Sequence, residues 1–215
     1  MKKSVYSLVL MDDVVAEVDR LAYETGTSRS NMINQILAEY VSYVTPEKRM
    51  REVFHQIESM LVPAHAFQVM LQPSDSMFSL RSALSYKYNP TVRYCVELYR
   101  NEKPVLGELR VSIRSQNNAL MLYMMEFFKL WGKLETSLLG EATSAFEDGK
   151  YVRQLVLRGG ETADNTQIGE AIASYIDVVD TALKTFFANL DQPAAATRAV
   201  ERLYSQYLHQ NPILV

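Results

Sequence analysis

Side chains able to do chemistry are scarce in this chain of 215 residues. It holds one cysteine, Cys95, and three histidines, His55, His65 and His209. A lone thiol excludes an intrachain disulfide framework and a multi-cysteine zinc ribbon. His55, His65 and Cys95 would bind a metal only if the fold gathered three separate segments, so no metal site is expected. No Gly-x-Ser-x-Gly, His-Glu-x-x-His, Walker or Gly-x-Gly-x-x-Gly pattern occurs. Gly159-Gly160-Glu161-Thr162 lacks the lysine and the spacing of a phosphate-binding loop. Cys95 reads as a structural thiol. Neither enzymatic activity nor a cofactor is expected.

What remains is charge. Twenty-two basic residues against 25 acidic give a net charge of −3, so bulk attraction to nucleic acid is excluded and any such contact needs a local patch. One stretch qualifies. Residues 79 to 116 hold seven basic residues against three acidic, whereas residues 117 to 215 hold eight against twelve. Arg81, Lys87, Arg93, Arg110 and Arg114 fall there on the polar side of expected strands, with Glu97 and Glu108 among them. Such a face suits a nucleic-acid backbone, a phosphate-bearing ligand or an acidic protein. The plainer reading is a solvated sheet surface whose arginines pair with the two glutamates. Tyr99 is its only aromatic, which is weak for base stacking.

The elements that must carry these residues follow from periodicity. Val5 to Leu10 predicts a strand. Asp12 and Asp13 suit a helix N-terminus, and Val14, Val15, Val18, Leu21 and Ala22 form one helical stripe. Gly26 stands where a left-handed C-terminal cap belongs, and Thr27 and Ser28 suit the start of a second helix. The second stripe is Met32, Ile33, Ile36, Leu37, Tyr40, Val41 and Val44. A lone strand leaves its backbone groups unpaired, so pairing with the same strand of a second copy is expected, hence an obligate dimer.

Residues 46–61 predict a third helix and 62–78 a loop-rich connector. Period-two patterns over 79–88, 91–100 and 105–116 predict an antiparallel meander, with Lys150–Arg158 as a fourth strand. Leu80, Leu84, Tyr86 and Tyr88, then Val92, Tyr94, Val96 and Leu98, then Val105, Leu109, Val111 and Ile113 are the expected buried sides. Residues 118–147, rich in Leu, Met and Phe around Trp131, read as a buried helix or broken pair, with Met121, Met124 and Met125 as core filling. Amphipathic helices are expected over 166–190 and 194–210. The expected fold class is α+β in three parts: 1–45, a linker over 46–78, and an α+β domain over 79–215.

On Gly26-x-Ser28-Arg29-Ser30-x-x-Ile33, preceded by the strand and by Leu10-Met11-Asp12-Asp13-Val14, residues 2 to 45 resemble the ribbon-helix-helix family of the Arc and MetJ repressors. The resemblance covers about a fifth of the chain. It implies a two-stranded ribbon, one strand from each protomer, lying in the DNA major groove. Placing Leu10 just before the first helix puts Tyr6, Leu8 and Leu10 in the core and turns Val5, Ser7 and Val9 to the bases. The N-terminus of the second helix, with Thr27, Ser28, Arg29 and Ser30, would hold a phosphate, and Lys2 and Lys3 would add nonspecific contacts. The sequence departs from the family where two of three base-facing positions are valine, able only to pack on thymine methyls.

The function this points to is a dimeric, sequence-specific DNA-binding protein of repressor type, its partners double-stranded DNA and itself. Alternatives are a protein-interaction adaptor that uses the ribbon only to dimerise, or a plasmid partition or transfer factor. A possible partner of the second domain is an acidic protein or anionic ligand. Asp12 and Asp13 interrupt the apolar stretch after Met1-Lys2-Lys3, and Glu126 and Lys129 break the run from Ala119 to Trp131. A cytoplasmic protein without a membrane span is therefore expected.

Overall fold

The structure, a computed structural model, describes residues 5–63, 66–71, 74–100, 105–140, 144–147, 149–157 and 163–210. The chain divides into two compact units, Met1–Arg49 and Met50–Val215.

In the first unit, helix α1 (Asp12–Glu24) carries Asp12 and Asp13 in its first turn, where carboxylates meet the positive end of the helix dipole. The Gly26 N–H reaches the Tyr23 carbonyl and the Thr27 N–H the Ala22 carbonyl, a Schellman closure. It requires a left-handed residue, and Gly26 supplies it at φ +64°. Helix α2 (Arg29–Tyr40) follows, its N-cap Ser28 accepting from the Asn31 N–H at 3.3 Å. It ends well short of Val44, since Ser42 turns left-handed at φ 55°. Val18, Ala22 and Met32 are buried, with Leu21 and Ile33 packed against them. Val5 to Leu10, expected to form a strand, have no regular hydrogen-bonding pattern in the single chain.

Helix α3 (Pro46–Leu61) runs from the first unit into the second. The expected linker helix buries Met50, Val53, Phe54, Ile57 and Leu61 in the second unit's core. The expected connector contains the two-residue strand β1 (Gln68–Val69). Then come β2 (Met77–Ala83), β3 (Thr91–Leu98), β4 (Val105–Ile113), helix α4 (Asn118–Leu139), β5 (Ser144–Glu147), β6 (Lys150–Val156), and helices α5 (Asn165–Ala188) and α6 (Pro193–Gln210). The fold is thus mixed α+β, with six helices and a six-stranded antiparallel sheet of order β1-β2-β3-β4-β6-β5 among the described residues.

One sheet face is apolar. Val69, Leu80, Tyr94, Val111, Tyr151 and Phe146 form one row across the strands, and Leu80, Tyr94, Val111 and Tyr151 join a core with α3, α4, α5 and α6. The period-two reading holds for Val92, Tyr94, Val96 and Leu98, all buried. It fails at two places. β2 starts at Met77, burying Phe78, and ends at Ala83; the chain then turns with Tyr88 and Asn89 at positive φ, leaving Tyr88 98% exposed. In β4 a register shift between Val105 and Gly107 brings Leu106 into the core while Val105 is only half-buried. Gly107 is demanded by close approach, because a Cβ there would lie 2.1 Å from the Glu97 carbonyl oxygen.

The expected helix over 118–147 ends at Leu139. Gly140, at φ +88°, reverses the chain into the edge strand β5. Nor is α4 buried all round: Leu122 and Leu138 are each half exposed, while Met124 is buried. The fourth strand and the last two helices lie where periodicity places them, within a few residues. No helix among the described residues is long and apolar enough to cross a membrane.

Candidate functional site

Three places gather polar side chains. The first is the turn from α1 into α2. Closure through Gly26 sets Thr27, Ser28, Arg29 and Ser30 at the α2 N-terminus, with Ser28, Arg29 and Ser30 exposed. A hydroxyl that accepts from a backbone N–H still has its proton to donate, so Ser28 can cap and bind at once. Arg29 is engaged within its own unit: its Nε donates to Asp19 Oδ1 at 2.6 Å and its Nη2 to Asp19 Oδ2. That guanidinium hydrogen bond holds the Asp19 carboxyl below its ordinary pKa. Val5 and Val9 are fully exposed, and Ser7 lies between them, also exposed. Tyr6 (83%) and Leu8 (61%), expected in a core, are also exposed in the single chain. Lys2 and Lys3 lie outside the described residues.

The second place is the sheet face turned away from the core. Arg81, Arg93 and Arg110 share it, but not as one cationic field. Arg110 is neutralised, its Nη2 donating to Glu97 Oε2 at 2.6 Å and its Nε to Glu108 Oε1. Glu108 also accepts from Tyr99 OH at 3.0 Å. Burial pushes the Tyr99 hydroxyl's pKa up, and the Glu108 bond adds to the rise. Arg81 and Arg93 stand directly opposite each other in the β2–β3 register. Arg81 Nε donates to Gln68 Oε1 at 3.0 Å, and Arg93 Nη2 to Ser79 Oγ at 3.2 Å. Arg93 Nε is buried and has no hydrogen-bond partner among the described residues. Lys87 belongs to the turn after β2 and Arg114 to the exposed segment after β4, so neither is placed on the face by strand pairing. Cys95, on this face between Ser79 and Arg110, is buried at 7% exposure.

The third place, a network inside the core, was not foreseen. Glu135 of α4 is fully buried and accepts from Tyr151 OH and Tyr175 OH, each at 2.5 Å, and from Arg153 Nε at 2.8 Å. Trp131 Nε1 donates to Tyr175 OH at 3.1 Å, and Arg153 lies over the Tyr175 ring. Burial, then the Glu135 charge, pushes the Tyr151 and Tyr175 hydroxyls well above their ordinary pKa. The signal was present as Tyr151-x-Arg153-x-Leu155, an arginine on the apolar phase of a strand. Nearby, Tyr94 OH donates to the buried Asp180 at 2.9 Å, and Lys184 pairs with Asp180 at 2.6 Å.

His55 and His209 are exposed on α3 and α6, and His65 lies outside the described residues, among which no group of three or more His, Cys, Asp or Glu is arranged to hold a metal ion. A groove of about 510 Å³ between α4 and β5 is lined by Phe128, Lys129, Lys133, Ser144 and Phe146 among others. The Thr136 and Ser137 hydroxyls along it bond back to the α4 carbonyls of Gly132 and Leu134. Compared with known proteins, the chain matches no family model, no curated protein and no solved structure.

Proposed function

We propose that the chain is a dimeric DNA-binding protein of regulatory type, built on an N-terminal ribbon-helix-helix. The observation that carries this reading is the unfinished state of the first unit. Among its described residues the buried hydrophobic core is three side chains, while Tyr6, Leu8, Leu10, Val14, Ile36 and Leu37 are exposed. So small a core cannot by itself offset the ordering of some forty residues. A second copy would pair the Val5–Leu10 segments into a ribbon, satisfying their backbone groups and covering the exposed apolar side chains of α1 and α2.

In that dimer Ser7 would read base edges, with Val5 and Val9 against thymine methyls, and Thr27 to Ser30 would meet the phosphates. Arg29 would exchange Asp19 for phosphate, or reach the backbone while still paired to it. Exposed valines and an arginine already held by a carboxylate are the observations favouring the other reading, an adaptor that dimerises through the ribbon without DNA.

Two measurements test the proposal. Sedimentation of the full chain should show a dimer; a folded monomer at micromolar concentration contradicts the shared ribbon. Fluorescence anisotropy with duplex DNA from the protein's own promoter, and a scrambled duplex, at two salt concentrations should show preference for the promoter. Arg29→Ala should weaken both complexes and flatten the dependence on salt. Failure of the full chain to bind either duplex selects the adaptor.

A further inference from the structure

The charge pattern of the open sheet face separates into rows that the strand register defines. One row runs Gln68, Arg81, Arg93, Ser112, Lys150, Glu147 across β1, β2, β3, β4, β6 and β5. Two rows along, Glu97 stands opposite Glu108, the two carboxylates that hold Arg110. The Arg110 cluster therefore has no positive charge to spare, with two carboxylates against one guanidinium. In the first row, among the described residues, Arg81 and Arg93 have the neutral Gln68 and Ser79 as their side-chain hydrogen-bond partners. Like charges directly opposite each other across a strand pair repel. Here one of them also keeps a buried Nε–H without an acceptor. An unsatisfied buried donor on a charged group costs more than the hydrogen bond would contribute, so this pair of guanidiniums is left short of acceptors among the described residues.

We propose that Arg81 and Arg93 form a seat for the carboxylates of an acidic, extended segment of a partner protein. Adjacent strands lie about 4.8 Å apart, and alternate side chains of an extended peptide about 6.7 Å apart. Two guanidiniums on flexible stems span that difference and offer forked donors to two successive acidic side chains. Single-stranded nucleic acid fits worse. The Arg81–Arg93 row has no aromatic for a base to stack on. This seat is independent of the N-terminal DNA-binding reading and stands or falls on a different ligand.

The test uses the full chain and three fluorescent probes: a short peptide of alternating Glu and Ser, its Gln/Ser counterpart, and a single-stranded oligonucleotide of equal charge. The Glu/Ser peptide should bind, more weakly as salt rises, and the Gln/Ser peptide should not. R81Q/R93Q should weaken binding about tenfold or more, whereas K129Q on α4 should leave it unchanged. Because R93Q alters a half-buried side chain, S112D provides a second arm. It sets a carboxylate beside Arg93 in register, should raise the melting temperature, and should displace the peptide. The proposal is overturned if the native chain does not bind the Glu/Ser peptide. It is equally overturned if R81Q/R93Q and S112D bind the peptide like the native chain, or if these variants weaken the oligonucleotide more than the peptide.

Discussion

Removing the Glu135 carboxylate should cost the second unit a large part of its stability. Glu135 is fully buried and takes three hydrogen bonds, from Tyr151, Tyr175 and Arg153. In Glu135→Ala the Arg153 guanidinium, 3% exposed, stays in the core without its carboxylate, a loss of about 3–5 kcal/mol. Two tyrosine hydroxyls lose their acceptor at about 1–3 kcal/mol each, reduced because they lie 3.2 Å apart and can bond each other. A total of about 4 kcal/mol or more results, against a whole-domain stability of roughly 5–15 kcal/mol. Arg153→Met alone should cost a comparable amount, since it strands the carboxylate instead. The double replacement Glu135→Leu with Arg153→Met should cost far less than the two singles combined, because no uncompensated charge remains. Trp131, the sole tryptophan, is fully buried and donates into this network. Its fluorescence during urea unfolding therefore reads the unit in question. Additive losses in the double variant, or a single loss below about 1 kcal/mol, would refute the claim that the pair is a coupled buried charge.

Two more consequences follow from packing and titration. Gly107→Ala places a Cβ 2.1 Å from the Glu97 carbonyl, against backbone rather than a flexible side-chain tip. The β3–β4 pair must shift, lowering stability by about 1–3 kcal/mol, measurable as a lower melting temperature. Separately, burial raises the hydroxyl pKa of Tyr94, Tyr151 and Tyr175 well above 10. Above pH 10 their unfolded counterparts ionise while the folded ones do not. The unfolded chain then binds fewer protons, and stability falls as pH rises. Urea titrations between pH 9 and 11, again followed at Trp131, should show the midpoint dropping; replacing Tyr94 with Phe should shrink the drop.

Much of the second unit was legible because alternation and helical period both report burial directly. The β3 stripe of Val92, Tyr94, Val96 and Leu98 reads the same in sequence and structure, since a strand with one covered face has only one way to place its apolar side chains. Where reading failed, a local backbone event had reset the phase. The shift between Val105 and Gly107 moved Leu106 inward, and Gly140, at positive φ, ended the helix before the expected span was complete. The Glu135–Arg153 pair was illegible for another reason. A charged residue on an apolar phase signals either an exposed position or a buried partner, and that partner sits 18 residues away on a different kind of element.

The candidate sites were legible as residue types but not as electrostatics. Arg81, Arg93 and Arg110 do share one sheet face, as alternation implies. Whether they act together depends on which strand sets a glutamate beside which arginine, and only register decides that. Register puts Glu97 and Glu108 beside Arg110 and leaves Arg81 facing Arg93. The same limit operates at Arg29, ten positions from Asp19 yet joined to it once α1 and α2 fold back on each other. Net charge over a window therefore overstates what an arginine offers to a ligand. In both units the useful quantity is the number of guanidiniums the fold leaves without a carboxylate. On the sheet it points to Arg81 and Arg93, and at the α2 N-terminus it makes Asp19 a competitor of any phosphate.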